Sequence, residues 1–179
     1  MRIGCVYSIE NYCSIDKPLR SPMEIPFGIS IIATVLKVAG HDVDLFVISP
    51  VTPVRKILEE YIRVKKPQLF CLSAVSSQFP PIEEVAALIK EIDPDIFVIL
   101  GGHHASLAPD QAIKCANLDA ICVSEGDVPV VELARQLEEG KWPSGISNLW
   151  IRHPKSGEIE RNPTAPFNED LDTIPHVDR

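Results

Sequence analysis

Five short apolar runs recur along the chain, at residues 3–8, 43–48, 69–75, 96–100 and 120–124. They are nearly continuous rather than alternating, which suits strands covered on both faces, as in a parallel sheet. The segments between them carry apolar residues at helical spacing. In 26–40, Pro26 suits a first helical position and Gly40 a stop, and the apolar residues wrap most of the circumference, which predicts a well-buried helix. In 52–64, Thr52 is expected as N-cap and Pro53 as first helical residue, with Val54, Ile57, Leu58, Tyr61 and Ile62 on one stripe. Segment 80–93 repeats the scheme with Ile82, Val85, Ala86, Ile89 and Ile92. A shorter helix is predicted after Ala108, and 128–140 closes the series at Gly140.

Strands that alternate with helices predict an α/β fold, an open five-stranded parallel sheet of flavodoxin-like or Rossmann-like type with helices on both faces. The preferred strand order is 2-1-3-4-5, with right-handed crossovers. Residues 1–140 form this unit. Residues 141–162 then read as a β-hairpin around "HPKSG", and the proline-rich, acidic 163–179 as a linker.

Composition narrows the functional classes. Seventeen basic and twenty-five acidic residues among 179 leave a net charge of −8, which gives no general attraction for nucleic acid or an anionic membrane. No apolar run has the length of a membrane span and no secretory leader is evident, so the chain reads as cytoplasmic. The five cysteines form no CxxC pair. Cys5, Cys71 and Cys122 sit in apolar runs and are expected to be buried, whereas Cys13 and Cys115 fall in less regular stretches where exposure is expected.

In open α/β sheets, ligands bind beyond the carboxyl ends of the strands. Four segments gather there: 8–25, 74–80, 101–108 and 124–128. The first is long for a strand-to-helix connection, either a binding loop or a loose insertion. The second offers Ser76, Ser77 and Gln78 beside Ser73; hydroxyls there also serve as helix caps. The third opens with Gly101 and Gly102, bare backbone against which a bulky ligand could lie, although a tight turn would also use a glycine. His103 and His104 follow; in extended backbone they would point apart, so at most one faces a ligand. The fourth brings Glu125, Gly126 and Asp127, with Asp127 expected to cap a helix. The turn after the first strand lacks GxGxxG, and Walker A and GxSxG motifs are absent as well.

The stretches "PFGISIIATVLKVAGHDVDLF" (26–46), "LSAVSSQFPPIEEVAALIK" (72–90), "VILGGHHASLAPDQAI" (98–113) and "LDAICVSEGDVPVVELARQL" (118–137) together resemble the cobalamin-binding domain that precedes the catalytic domain of cobalamin-dependent radical S-adenosylmethionine enzymes. The tail "NEDLDTIPHVDR" resembles the linker into the radical domain. The resemblance implies cobalamin at the strand ends, its nucleotide tail running in beside Gly101 and Gly102. Ser73, Ser76, Ser77, Gln78, Glu125 and Gly126 would line the loops, and His103 and His104 would flank the cofactor. The DxHxxG motif that supplies a cobalt-coordinating histidine in other cobalamin proteins is absent, as the resemblance leads one to expect; the resemblance then implies base-off cobalamin whose lower cobalt face receives no histidine from this loop, and hydrogen bonding is expected of His103 and His104 rather than cobalt ligation. The 4Fe–4S cluster and S-adenosylmethionine would belong to a radical domain in the same polypeptide, whose CxxxCxxC motif does not occur here. On this resemblance the chain binds, and a longer parent catalyses methyl transfer or oxidative cyclisation. A stand-alone corrinoid carrier or sensor, and a scaffold that has lost cobalamin or binds another flat cofactor such as flavin, remain as alternatives.

Overall fold

The structure is a computed structural model and describes residues 1–9 and 27–177. Among these residues one sheet contains β1 (Arg2–Ser8), β2 (Asp42–Ile48), β3 (Leu69–Ser73), β4 (Phe97–Gly101), β5 (Ala120–Cys122), β6 (Leu149–Arg152) and β7 (Ile159–Arg161), in the order β2-β1-β3-β4-β5-β6-β7. The first five strands are parallel in the expected order. The hairpin, expected only as an extension, pairs antiparallel with β5 and continues the sheet, so the strand count is seven rather than five.

The helices are α1 (Phe27–Val38), α2 (Val54–Lys65), α3 (Phe79–Ile92), α4 (His103–Leu107), α5 (Pro109–Ala112) and α6 (Asp127–Glu138). Alternation along each strand separates two cores. Phe70, Leu72, Val98, Leu100 and Ile121 pack with α2 and α3. Leu69, Cys71, Phe97, Ile99, Ala120 and Cys122 pack with α1 and α6 on the other face. Because both faces are covered, the strands show no hydrophobic–polar alternation in sequence.

Several local expectations need correction. Helix α2 begins at Val54 with Pro53 in the capping position; Thr52 instead accepts the Ser49 N–H at 2.9 Å, closing the turn before the helix. Asp127 is the first residue of α6, but no side-chain cap bond forms there. Helix α1 is not buried all round, since Phe27 and Val38 are exposed. Cys115, in the connection after α5, is buried because that connection packs into the same core as Ile82 and Val85 of α3. The stops at Gly40 and Gly140 are as expected, both in left-handed backbone (φ 92° and 70°). Pro26, Cys13 and nearly all of the long first connection lie outside the described residues.

Candidate cofactor site at the carboxyl ends of the sheet

Side chains on the α1/α6 face shorten toward the carboxyl ends of the strands. The amino ends of β3 and β4 carry Leu69 and Phe97; two and four residues further on, the same face carries Cys71 and Ser73 on β3 and Ile99 and Gly101 on β4, with Cys122 on β5. Register aligns Cys71 with Ile99 and Ser73 with Gly101. Large side chains thus close the core at one end, and small ones leave a space at the other. That space is a cavity of about 410 Å³, within the usual range for cofactor clefts.

Helix α1 walls the cavity with Gly28, Ile29, Ile31 and Ile32, and α6 with Asp127 and Val130. Ile31 and Ile32, apolar residues of α1 that are not fully buried, therefore face the ligand space. Ser73, Gly101, Gly102, His103, Ser106, Ser124, Glu125 and Gly126 also contribute to the lining. Ser76, Ser77, Gln78 and His104 do not. The loop after β3 is a single turn of 3-10 helix (Ser76–Gln78), and Gln78 is buried: its Oε1 accepts the Val75 N–H at 3.3 Å and its Nε2 donates to the Tyr7 hydroxyl at 3.2 Å.

The histidines are not in extended backbone. They open α4, and the helical turn sends His103 to the cavity and His104 into the opposite core. There the His104 ring stacks on Phe79 with centroids 4.1 Å apart, and Nδ1 lies 3.2 Å from the Ser76 hydroxyl. Its Nε2 has no partner among the described residues, and burial lowers its pKa below 6.5. A buried imidazole held neutral in this way packs as an aromatic.

The two glycines also differ. Gly102 has φ 85° and ψ −176°, a region essentially closed to other residues, and a Cβ there would lie 2.8 Å from Ser73 Oγ and 2.9 Å from Ala74 O. Its bareness serves the crossing of the β3 and β4 exits, where His104 N–H donates to Ala74 O at 3.0 Å. A Cβ on Gly101 would meet only Cys122 Cβ at 3.9 Å and Leu72 O at 4.0 Å, so its missing side chain leaves usable space. Gly101 is the glycine that opens the cavity.

Burial pushes the Cys122 thiol up to about 12, with the nearby charges of Glu125 and Asp127 adding to it. A hydrogen bond with Cys5, then burial, raises Cys71 well above the ordinary thiol value. Both floor sulfurs are therefore neutral and behave as small apolar surfaces.

One organising residue was not evident in the sequence. Asn148, just before β6, is buried with φ 68°. Its Nδ2 donates to Glu125 O at 2.8 Å and its Oδ1 accepts the Ala165 N–H at 2.6 Å, while its own N–H donates to Pro163 O at 3.0 Å. It ties the rim loop after β5 to the outgoing tail. That tail, expected to bury little, places Ile174 in the cavity lining. The sequence signal was faint: a polar residue in a turn before an apolar strand.

A mostly hydrocarbon cleft at the carboxyl ends of a parallel sheet narrows the ligand class but does not name it; comparison with known proteins does. The B12 binding domain family matches residues 22–134, well over half of the chain. The chain belongs to this family. Its cofactor is cobalamin. The B12-binding domain is 26% identical over 155 residues to an uncharacterized methyltransferase of Pyrococcus horikoshii, covering 84% of this chain and 32% of that protein. It is 27% identical over 157 residues to the anaerobic magnesium-protoporphyrin IX monomethyl ester cyclase of Rubrivivax gelatinosus, covering 83% and 28%. The chain thus spans about a third or less of the curated relatives it matches.

Among solved structures, the B12-binding domain is similar to the radical S-adenosylmethionine methyltransferase TsrM from Kitasatospora setae with cobalamin and a [4Fe-4S] cluster bound. The TM-score is 0.73 at 18% identity, covering 97% of this chain and 30% of that one. Similarity to the cobalamin-dependent S-adenosylmethionine radical enzyme OxsB with aqua-cobalamin and S-adenosylmethionine bound gives 0.71 at 19%, covering 93% and 22%. At these identities the likeness is one of fold.

The residues present fit the cofactor. The cavity is enclosed by apolar side chains on the helix side, floored by neutral thiols and opened at Gly101, which suits a planar aromatic base at the end of a flexible arm. Among the described residues no group of three or more His, Cys, Asp or Glu could hold a metal ion, and no helix is long and apolar enough to cross a membrane.

Proposed function

We propose that this chain is the cobalamin-holding domain of a longer cytoplasmic radical S-adenosylmethionine enzyme that carries out methyl transfer or oxidative cyclisation. Residues 1–140 supply most of the cofactor site, 141–162 extend the sheet and add Leu149 to its lining, and 163–179 add Ile174 and lead toward a radical domain bearing the 4Fe–4S cluster and S-adenosylmethionine. The observation that carries this reading is the cavity floored by Cys71, Ile99, Gly101 and Cys122 on the α1/α6 face. It supports binding with the nucleotide base inserted beside the sheet, away from cobalt, which is the base-off state.

When bound, cobalamin supplies a cobalt centre able to carry a methyl group; the chain supplies position. Ile29, Ile32 and Val130 would exclude water from the inserted base, Gly101 would leave it room, and the Ser124–Gly126 rim, tied at Glu125 by Asn148, would border it. Buried in the opposite core, His104 does not reach the cavity and is not a cobalt ligand from this site.

The test is to load the protein with hydroxocobalamin, remove free cofactor, and record the visible spectrum and the electron paramagnetic resonance spectrum of the reduced cob(II) form. Retained corrin absorbance without nitrogen superhyperfine splitting is expected. Splitting from an axial nitrogen would show the benzimidazole or a histidine on cobalt and would reject a lower face free of nitrogen, and absence of retained corrin would reject the reading as a whole.

A further inference from the structure

The reading above places a nucleotide base in the cavity, and the chemistry of the walls goes further, to which base. The arm of a corrinoid joins its lower base through one ring, so the opposite ring edge enters deepest. The deep walls here are Ile29, Cys71, Ile99, Cys122, Val130 and Leu149, all members of the buried α1/α6 core. None carries a strong donor or acceptor: the aliphatic chains have no polar atom, and both thiols are held neutral.

Two backbone groups of the rim are already engaged. Glu125 O accepts from Asn148 Nδ2 at 2.8 Å and from the Cys122 thiol at 3.6 Å, and Ser124 N–H donates to Ser106 Oγ at 3.0 Å. Of the serines among the lining residues, Ser73 ends β3, Ser106 lies on α4 and Ser124 follows β5, and none belongs to the buried α1/α6 core.

We propose that this slot selects corrinoids whose lower base ends in a hydrocarbon ring, such as a methylated benzimidazole or a phenol, and discriminates against corrinoids with a purine base. A purine carries ring nitrogens and, in adenine, an exocyclic amine on its six-membered ring. Buried among these six side chains, those groups would lose their bonds to water and find none in return. A dimethylated benzene ring has nothing to lose there and fills the space with methyl carbons.

The proposal rests on the base-insertion reading, and a ligand series on the unmodified protein tests the two separately. Dissociation constants are measured by equilibrium dialysis with visible detection for cobalamin, a cresolyl corrinoid, an adeninyl corrinoid and cobinamide, which lacks the nucleotide. Cobalamin and the cresolyl corrinoid are expected to bind comparably, the adeninyl corrinoid roughly tenfold to hundredfold more weakly, and cobinamide most weakly. Since a phenol cannot coordinate cobalt, parity of the first two shows that the slot and not axial ligation sets the order. Equal affinity for adeninyl and benzimidazolyl forms overturns the selectivity while leaving cobalamin binding intact. Cobinamide binding as tightly as cobalamin shows that no base enters the slot and overturns both insertion and selectivity. No binding of any corrinoid overturns the functional reading itself, and the selectivity with it.

Discussion

Two adjacent glycines should respond oppositely to substitution. At Gly102 a methyl group meets Ser73 Oγ at 2.8 Å and Ala74 O at 2.9 Å, and φ 85° with ψ −176° is a backbone region that alanine avoids. The backbone term is about 1–3 kcal/mol and the overpacking about 1–3 kcal/mol, so Gly102→Ala should cost roughly 2–6 kcal/mol. For a domain of this size that is a fall in melting temperature of about 5–20 °C. At Gly101 the nearest contacts are 3.9 and 4.0 Å and the backbone is ordinary strand, so Gly101→Ala should stay within about 1 kcal/mol of the parent. Gly101→Val also suits a strand, but its methyls enter the cavity; an overpacking penalty of about 1–3 kcal/mol corresponds to roughly tenfold to hundredfold weaker cobalamin binding. Thermal unfolding by circular dichroism and cobalamin titration provide the readouts. If Gly102→Ala melts with the parent protein, or Gly101→Val binds cobalamin unchanged, the assignment of one glycine to folding and the other to the cofactor is wrong.

Other consequences follow from the same geometry. Asn148→Ala removes two side-chain hydrogen bonds and places alanine at φ 68°, which should cost about 2–4 kcal/mol and weaken cobalamin retention; Asn148→Asp, which keeps only the acceptor for Ala165, should fall between, and a variant indistinguishable from the parent in both assays would remove Asn148 from the site. Because the native pKa of His104 lies below its unfolded value of 6.5, the unfolded chain binds more protons, so stability is complete above about pH 6.5 and declines as pH falls through that value toward the native pKa. His41, lowered chiefly by burial, adds a dependence of the same sign, so His104→Leu should reduce rather than abolish the slope of melting temperature between pH 7.5 and 5; an unchanged slope refutes the assignment. Cys71 and Cys122 should react with iodoacetamide at pH 8 only after denaturation, as read by mass spectrometry, whereas rapid labelling in the native protein would contradict neutral, buried thiols on the cavity floor.

The parallel sheet and the carboxyl-end location of the site were legible in the chain because both rest on local patterns. Near-continuous apolar runs of five to seven residues, separated by amphipathic helices, admit few arrangements. The resemblance quoted for 72–90, 98–113 and 118–137 led to the cofactor, since several loop sequences must share one ligand and so carry a joint signature. Individual lining residues were less legible. Ser76 and Gln78 looked like ligand-facing hydroxyl and amide groups, yet Ser76 meets the His104 ring and Gln78 bonds Tyr7, because a single turn of 3-10 helix rotates them off the cavity. His103 and His104 were expected in extended backbone; the helix that begins after Gly102 decided instead which imidazole lines the cavity and which becomes core.

The sequence by itself determined the parallel strands, the longer helices and the stops at Gly40 and Gly140, and that small residues stand at the ends of the central strands. Those properties depend on neighbours a few positions away. Only the tertiary structure decided that Cys71, Ile99, Gly101 and Cys122 form one floor, that Ile29, Ile32 and Val130 wall it, and that from the far end of the chain Ile174 lines it and Asn148 braces its rim. Side chains on three different strands form a cavity only through register and alternation, and these are set by long-range pairing that no local window of sequence contains.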